Sequence, residues 1–178
     1  DEIEKDELTS IDEGIVFDKV SFTYDGVREV VREVSLSIPV GKTTAIVGPS
    51  GSGKSTLGKL IFGFYKPSSG QILINGQENT RFKTKSVRAL LAVTPQDIVL
   101  FNDTLEYNIM YGSSNVSIDM LNNAIEKSDL ANLVSKLPSG LSTQVGERGL
   151  KLSGGEKQRV AIARMLLKEC NINILDEA

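Results

Sequence analysis

Apolar and polar positions begin to alternate just after Gly14. Val20, Phe22 and Tyr24 alternate with Ser21 and Thr23, and Val34, Leu36 and Ile38 with Ser35 and Ser37. A period of two predicts half-buried strands, and Asp25-Gly26 between the runs predicts a turn. Thr44-Ala45-Ile46-Val47 is a short, continuous apolar run, which predicts a strand buried on both faces of a parallel sheet. A glycine-rich stretch follows, and then Leu57, Leu60 and Ile61 fall at helical spacing, until Pro67-Ser68-Ser69-Gly70 ends the unit. Gln71–Ile74 predicts a strand closed by Asn75-Gly76, and Leu90–Val93 another closed by Pro95.

Between residues 97 and 157 the period changes to 3.6. Met120, Leu121, Ala124 and Ile125 mark one helix, with Ser117 placed to cap it, and Leu130, Leu133, Val134 and Leu137 mark the next. Residues 160–167 are apolar nearly all round apart from Arg164, which predicts a buried helix. Ile172–Leu175 predicts a final strand ending at Asp176 and Glu177. The pattern divides the chain into a leader (1–13), a β-rich layer with a βαβ core (14–96), a helical subdomain (97–157) and a return to the core (158–178). The expected class is α/β, with a parallel-sheet core, an N-terminal antiparallel β layer and an inserted helical subdomain.

Composition narrows the chemistry. The 178 residues are 40% hydrophobic and 24% charged, in the ordinary globular range and enough to bury a core. No apolar run approaches the roughly 18 residues that span a bilayer. The absence of histidine removes His-dependent metal sites, Ser-His-Asp triads and imidazole bases from this chain. The single cysteine, Cys170, cannot close an internal disulfide, and a reducing compartment is the simpler reading. Charge is uneven: residues 1–14 carry seven acids and one base, whereas the rest carries 16 acids and 19 bases. The leader therefore reads as a solvated acidic linker, and the body is too weakly basic to argue for nucleic acid.

The most specific signal is Gly48-Pro49-Ser50-Gly51-Ser52-Gly53-Lys54-Ser55-Thr56, which matches G-x-x-x-x-G-K-[ST] between an expected strand and a helix. Its glycines let successive N–H groups curl around phosphate oxygens, and the helix adds its positive N-terminal end. Lys54 is placed to reach the β- and γ-phosphates and the Ser55 hydroxyl to ligate Mg²⁺. A glycine-rich turn before an ordinary helix is the plain alternative, and the strand–loop–helix context argues against it.

Two further features are weaker alone. Asp176 and Glu177 sit at a strand's C-terminal end, the edge where ligands bind in open α/β sheets. An aspartate there suits Mg²⁺ and a glutamate suits an attacking water; a solvated turn is the alternative. Leu152-Ser153-Gly154-Gly155-Glu156 is a helix start with Ser153 as cap and a second place for an anion, or a cap and nothing more.

Together these residues resemble the ATP-binding cassette (ABC) ATPases. Residues 152–159 look like that family's signature sequence, between a Walker A loop at 48–56 and a Walker B strand at 172–177, in the family's order over residues 14–178. The resemblance implies the ABC ATPase fold, with Mg²⁺ and ATP as cofactors. It implies that Tyr24 stacks on adenine, that residues 48–56 with Gly48, Ser50, Gly51, Ser52, Gly53, Lys54, Ser55 and Thr56 hold the phosphates, and that Gln96 contacts Mg²⁺ and senses a transmembrane partner. Ser153, Gly154 and Gly155 would bind the γ-phosphate held by the opposite subunit, Asp176 would serve the metal, and Glu177 would be the catalytic glutamate. Residues 143–149 resemble the exporter loop that touches transmembrane coupling helices.

The stretch 95–109, with Glu156 in place of the usual glutamine, is most similar to the mitochondrial half-transporters of sulfur- or glutathione-containing species and to heavy-metal tolerance transporters. That branch implies a transmembrane domain on the same parent chain, a second nucleotide-binding domain as partner in a homodimer of half-transporters, no nucleic acid, and the matrix side of the inner membrane of a mitochondrion or mitochondrion-related organelle. The family's D-loop and switch histidine would lie beyond Ala178, so the chain is expected to be C-terminally truncated and, alone, to bind nucleotide but hydrolyse it poorly. The competing class is an ABC ATPase of DNA-repair or chromosome type. It needs a long coiled coil between Gln96 and Ser153, where this chain has 56 residues without sustained heptads.

Overall fold

The structure is a computed structural model that describes residues 4–147, 149–168 and 170–176. The chain divides into two compact units, Asp1–Leu91 with Cys170–Ile172 and Ala92–Glu169 with Asn173–Ala178.

The first unit is built on β1 (Ile15–Thr23) and β2 (Glu29–Ile38), an antiparallel pair. Helix α1 (Lys54–Ile61) follows, then β3 (Ser69–Ile74), β4 (Gln77–Glu78) and the short helix α2 (Thr84–Ala89). The sheet order is β2-β1-β3-β4, antiparallel throughout, which is the expected β layer. Simple alternation does not hold along β1. Ile15 and Phe17 are buried, and so are Val20 and Phe22, an odd step apart. Lys19, at φ 48°, inserts the extra residue, and the β1–β3 register shifts between Asp18 and Ser21. A bulge of this kind returns the apolar set to one face. Opposite it, Gly70 has φ +74°, and a Cβ there would lie 2.2 Å from the Lys19 carbonyl oxygen, so only glycine fits.

Two expectations are corrected in this unit. Residues 44–47 are not a strand: the segment 43–49 has no regular structure, and Ile46 and Val47 are 41% and 89% exposed. Among the described residues no strand pairs with it, and an extended apolar run without a ladder has nothing to fix it. Nor is the acidic leader simply solvated. Leu8 and Ile11 are buried, and Asp6 exchanges backbone hydrogen bonds with Arg81 and Lys83. Asp6 also pairs with Arg81 at 2.7 Å and Glu7 with Lys83 at 2.9 Å. Acidic composition signalled solvation, but two apolar residues and basic partners nearby dock the leader on the body; the exposed pairs add direction rather than much stability.

The second unit begins in β5 (Leu91–Thr94), then β6 (Asp103–Thr104), α3 (Leu105–Met110), α4 (Ile118–Lys127), α5 (Ala131–Lys136), β7 (Gln144–Val145), α6 (Gly154–Leu167) and β8 (Ile172–Leu175). The Ser117 hydroxyl caps α4 by accepting from the Met120 N–H, as the sequence implies. Leu105, Ile109, Leu121, Leu130, Val160 and Ala163 are among the residues of its apolar core. Helix α6 is apolar nearly all round in sequence but buries one side only: Val160, Ala163 and Leu167 lie inside, and Leu166 is exposed. Strands β5 and β8 pair parallel, because the Asn171 and Ile172 N–H groups donate to Leu90 and the Asp176 N–H to Thr94.

Arg164 is the one charge within the apolar stretch of α6. It donates to the Asn108 carbonyl, to Asn108 Oδ1 at 2.8 Å and to the Val99 carbonyl at 3.2 Å. Its guanidinium also lies about 6 Å from the Phe101 and Tyr111 ring centres (6.0 and 5.9 Å). Burial pushes its pKa down, since all three acceptors are uncharged. Asn108, fully buried, completes the knot by accepting from the Phe101 N–H and donating to the Phe101 and Thr104 carbonyls. Asn108→Ala strands these groups and should destabilise the unit by about 2–4 kcal/mol. Urea denaturation followed by circular dichroism measures it, and a change below about 1 kcal/mol would show the knot to be dispensable.

Candidate nucleotide-binding site

In the first unit, the loop 48–53 ends on Gly53, the N-cap residue of α1, at φ 90° and ψ 7°. A Cβ at Gly53 would lie 2.6 Å from the Val30 carbonyl oxygen of β2. Glycine is therefore demanded twice, by the left-handed backbone and by the approach of β2. Gly51 is also left-handed, at φ 76°, and the Ser52 N–H donates to Pro49 at 3.2 Å, tightening the turn. No side chain caps α1 and no acid lies in its first turn. The helix thus presents its positive end with no local anion to offset it. The Lys54 ammonium donates to the Gly48 and Pro49 carbonyls, each at 2.9 Å, and so stands at the mouth of the loop. Ser50 and Ser55 are exposed; Thr56 is buried.

Tyr24 follows β1 directly. Its hydroxyl shares a 3.2 Å hydrogen bond with Thr56 Oγ1, which ties the aromatic to the first turns of α1. The turn beyond is locked by the Asp25 carboxylate, which accepts from the Arg28 and Val27 N–H groups and the Thr23 hydroxyl. Those bonds, Arg28 first, lower its pKa to about 2. Sequence reading placed Tyr24 and Thr56 in one site without showing that they touch.

The other candidates belong to the second unit. Asp176 lies at the end of β8, and its N–H donates to Thr94 at 3.0 Å. Gln96 lies two residues past Thr94, exposed, after Pro95. The parallel pairing thus brings the Gln96 and Asp176 backbones to the C-terminal ends of neighbouring strands. Glu177 lies outside the described residues. Ser153 caps α6, its hydroxyl accepting from the Glu156 N–H. The Glu156 carboxylate accepts from the Ser153 N–H at 2.7 Å and from its hydroxyl at 2.8 Å. This reciprocal capping box was legible as S-x-x-E but not read as such. A Cβ on Gly154 or Gly155 would meet nothing within 4 Å, so packing within this chain does not require glycine at either position.

The donor set is chemically consistent. Among the described residues no group of three or more His, Cys, Asp or Glu forms a metal cage. The Ser55 hydroxyl in the first unit, and the Gln96 amide and Asp176 carboxylate in the second, are each a hard oxygen donor of the kind that Mg²⁺ accepts.

A family model described as "ABC transporter" matches residues 31–178. The chain belongs to the ABC transporter family. It is 49% identical over 164 residues to the mitochondrial iron–sulfur clusters transporter ATM1 of Candida glabrata, covering 92% of this chain and 23% of that protein. An ATM1-type heavy metal exporter of Novosphingobium aromaticivorans is 51% identical, with 92% and 27% covered. Human ATP-binding cassette sub-family B member 6 is 49% identical, with 92% and 20% covered. The chain thus spans about a quarter of the length of these relatives. Among solved structures, a bacterial Atm1-family ABC exporter with ATP bound superposes with a TM-score of 0.91 at 48% identity, covering 97% of this chain and 30% of that one. The resemblance seen in the motifs, the Atm1-like branch and the ABC ATPase fold all agree with these matches.

Glu156 gives a test of the signature helix. Its two bonds to Ser153, the N–H first, hold its pKa below the usual carboxylate range. A lowered pKa means that the stabilisation is present above the unfolded value of about 4.3 and lost as pH falls through the folded value. Glu156→Ala should cost about 0.5–1 kcal/mol at pH 7. Thermal melts of variant and parent should converge as pH falls below the unfolded value, and a difference independent of pH would remove the carboxylate from the cap.

Proposed function

We propose that the chain is the nucleotide-binding domain of an Atm1-like exporter, which binds Mg·ATP and, paired head to tail with a second such domain, hydrolyses it to drive transport by an attached transmembrane domain. The observation that carries this reading is the Gly53–Lys54 corner: a glycine that backbone and packing both demand, followed by a lysine over the loop mouth at the uncapped start of α1. That arrangement suits a phosphate chain and little else.

In this reading Tyr24 stacks on adenine, and backbone N–H groups of the glycine-rich loop and of the first turn of α1 take the phosphate oxygens. Lys54 neutralises charge that builds up on the β–γ bridging oxygen as water displaces it from phosphorus. The Ser55 hydroxyl is what the first unit offers a magnesium ion; the Asp176 carboxylate and Gln96 amide are what the second offers. Bound magnesium supplies Lewis-acid stabilisation of the phosphate charge. Glu177 orients the attacking water and takes its proton. Ser153, Gly154 and Gly155, with no Cβ at the two glycines, close on the γ-phosphate of a second copy. ATP is then the bridge between two domains, and hydrolysis releases it.

The names of the relatives support an exporter of iron–sulfur-linked or heavy-metal cargo, and several of those relatives are mitochondrial; in this reading the parent transporter sits in a mitochondrial inner membrane with this domain on the matrix side. No helix among the described residues is long and apolar enough to cross a membrane. The DNA-repair reading is not favoured, since the relatives are transporters.

Two variants in the intact protein test the proposal. Lys54→Ala should lower ATP affinity at least tenfold in a fluorescent-nucleotide titration; unchanged affinity would overturn the phosphate site. Glu177→Gln should keep ATP binding, slow turnover by about 10²–10³-fold and accumulate an ATP-bound dimer on size-exclusion chromatography. Undiminished turnover would take Glu177 out of the reaction.

A further inference from the structure

We propose that Tyr65 is a positioning residue for base recognition, holding the ring of Tyr24 where adenine stacks. This rests on the reading that Tyr24 takes the base. Three aromatic rings meet at the end of β1. Tyr24 stands at 86° to Phe22, with ring centres 4.8 Å apart, and at 90° to Tyr65, with centres 5.1 Å apart. Phe22 and Tyr65 close the triangle at 5.3 Å. Near-perpendicular contacts at these distances are the favourable edge-to-face kind.

The three members differ in burial. Phe22 is 4% exposed and belongs to the core, whereas Tyr24 and Tyr65 are 48% and 42% exposed. A half-exposed tyrosine at a strand end samples several rotamers, and a base that stacks on it must first select one. Here the selection is made in advance from two sides. Thr56 holds the hydroxyl end from the first turns of α1, and Tyr65 meets the ring from the loop that follows the same helix. The Lys59 ammonium, on α1 between them, lies over the Tyr24 ring at 5.9 Å from its centre. Tyr24 is thus held at Thr56 and Lys59 of α1 and at Tyr65 just beyond it, on the helix whose N-terminus takes the phosphates in this reading. The base platform and the phosphate loop become one piece, with a fixed spacing between them.

Only the ring of Tyr65 is used: its hydroxyl makes no hydrogen bond among the described residues. The consequence is a split between base and phosphate. In the intact protein, Tyr65→Leu should weaken ATP binding about 3–10-fold, the range that an edge-to-face ring pair supports. It should leave the affinity for magnesium tripolyphosphate, which has no base, unchanged. KM for ATP should rise with kcat held, and Tyr65→Phe should restore the parent's affinity. Isothermal titration with both ligands, alongside Tyr24→Leu, decides the matter. Weaker ATP binding in Tyr24→Leu with none in Tyr65→Leu would overturn the role of Tyr65 alone. An equal loss toward tripolyphosphate in Tyr65→Leu would reduce it to a structural residue and also overturn the proposal. No effect on ATP in Tyr24→Leu would remove the base-stacking reading itself, and the positioning role with it.

Discussion

The approach of β2 to the loop before α1 is the constraint on which the first unit's chemistry depends. The Val30 carbonyl comes within 2.6 Å of where a Gly53 side chain would begin, at a backbone angle that other residues rarely adopt. Once Gly53 is fixed, the direction of α1 is fixed, and with it the origin of Lys54 and the height of Thr56. Thr56 then reaches the Tyr24 hydroxyl, so the antiparallel layer and the phosphate loop are registered through one glycine and one shared hydrogen bond. The loop itself is exposed and irregular. Its geometry is set at its end, where it enters the helix.

Helix α6 organises the second unit in a comparable way, with two distinct ends to its work. At its start, Ser153 and Glu156 satisfy each other and leave Gly154 and Gly155 uncovered. Midway along, Arg164 reaches across to Asn108 and to the segment after Gln96. A half-buried guanidinium held by carbonyls and aromatic faces is costly to desolvate, and its pKa falls accordingly. That cost is offset by directional bonds that a leucine could not make. The knot fixes the segment between residues 99 and 111 to the helix that displays Ser153 and the two glycines.

Much of this was legible in the chain. Short-range rules placed α1, α4 and α6, the turns at Asp25-Gly26 and Asn75-Gly76, and the caps at Ser117 and Ser153, because each depends on residues a few positions apart. Apolar period alone misled where partners mattered. Residues 44–47 have the composition of a central strand, but a strand exists only through its ladder, and none pairs with it among the described residues. The acidic leader was judged by its charge, whereas Leu8 and Ile11 decided its fate. The bulge at Lys19 escaped the alternation rule because no composition signal marks a residue about to adopt φ 48°.

By itself, then, the sequence determined the glycine-rich loop before α1, the capped start of α6 and the order in which they occur, since glycine freedom, capping and helix polarity are local properties. Tertiary structure decided which side chains those elements address. Tyr24 meets Thr56 across 32 positions of sequence, and Arg164 meets Asn108 across 56. Contacts over such separations exist only after the chain has closed on itself and packed, and no nearest-neighbour rule carries the packing in advance.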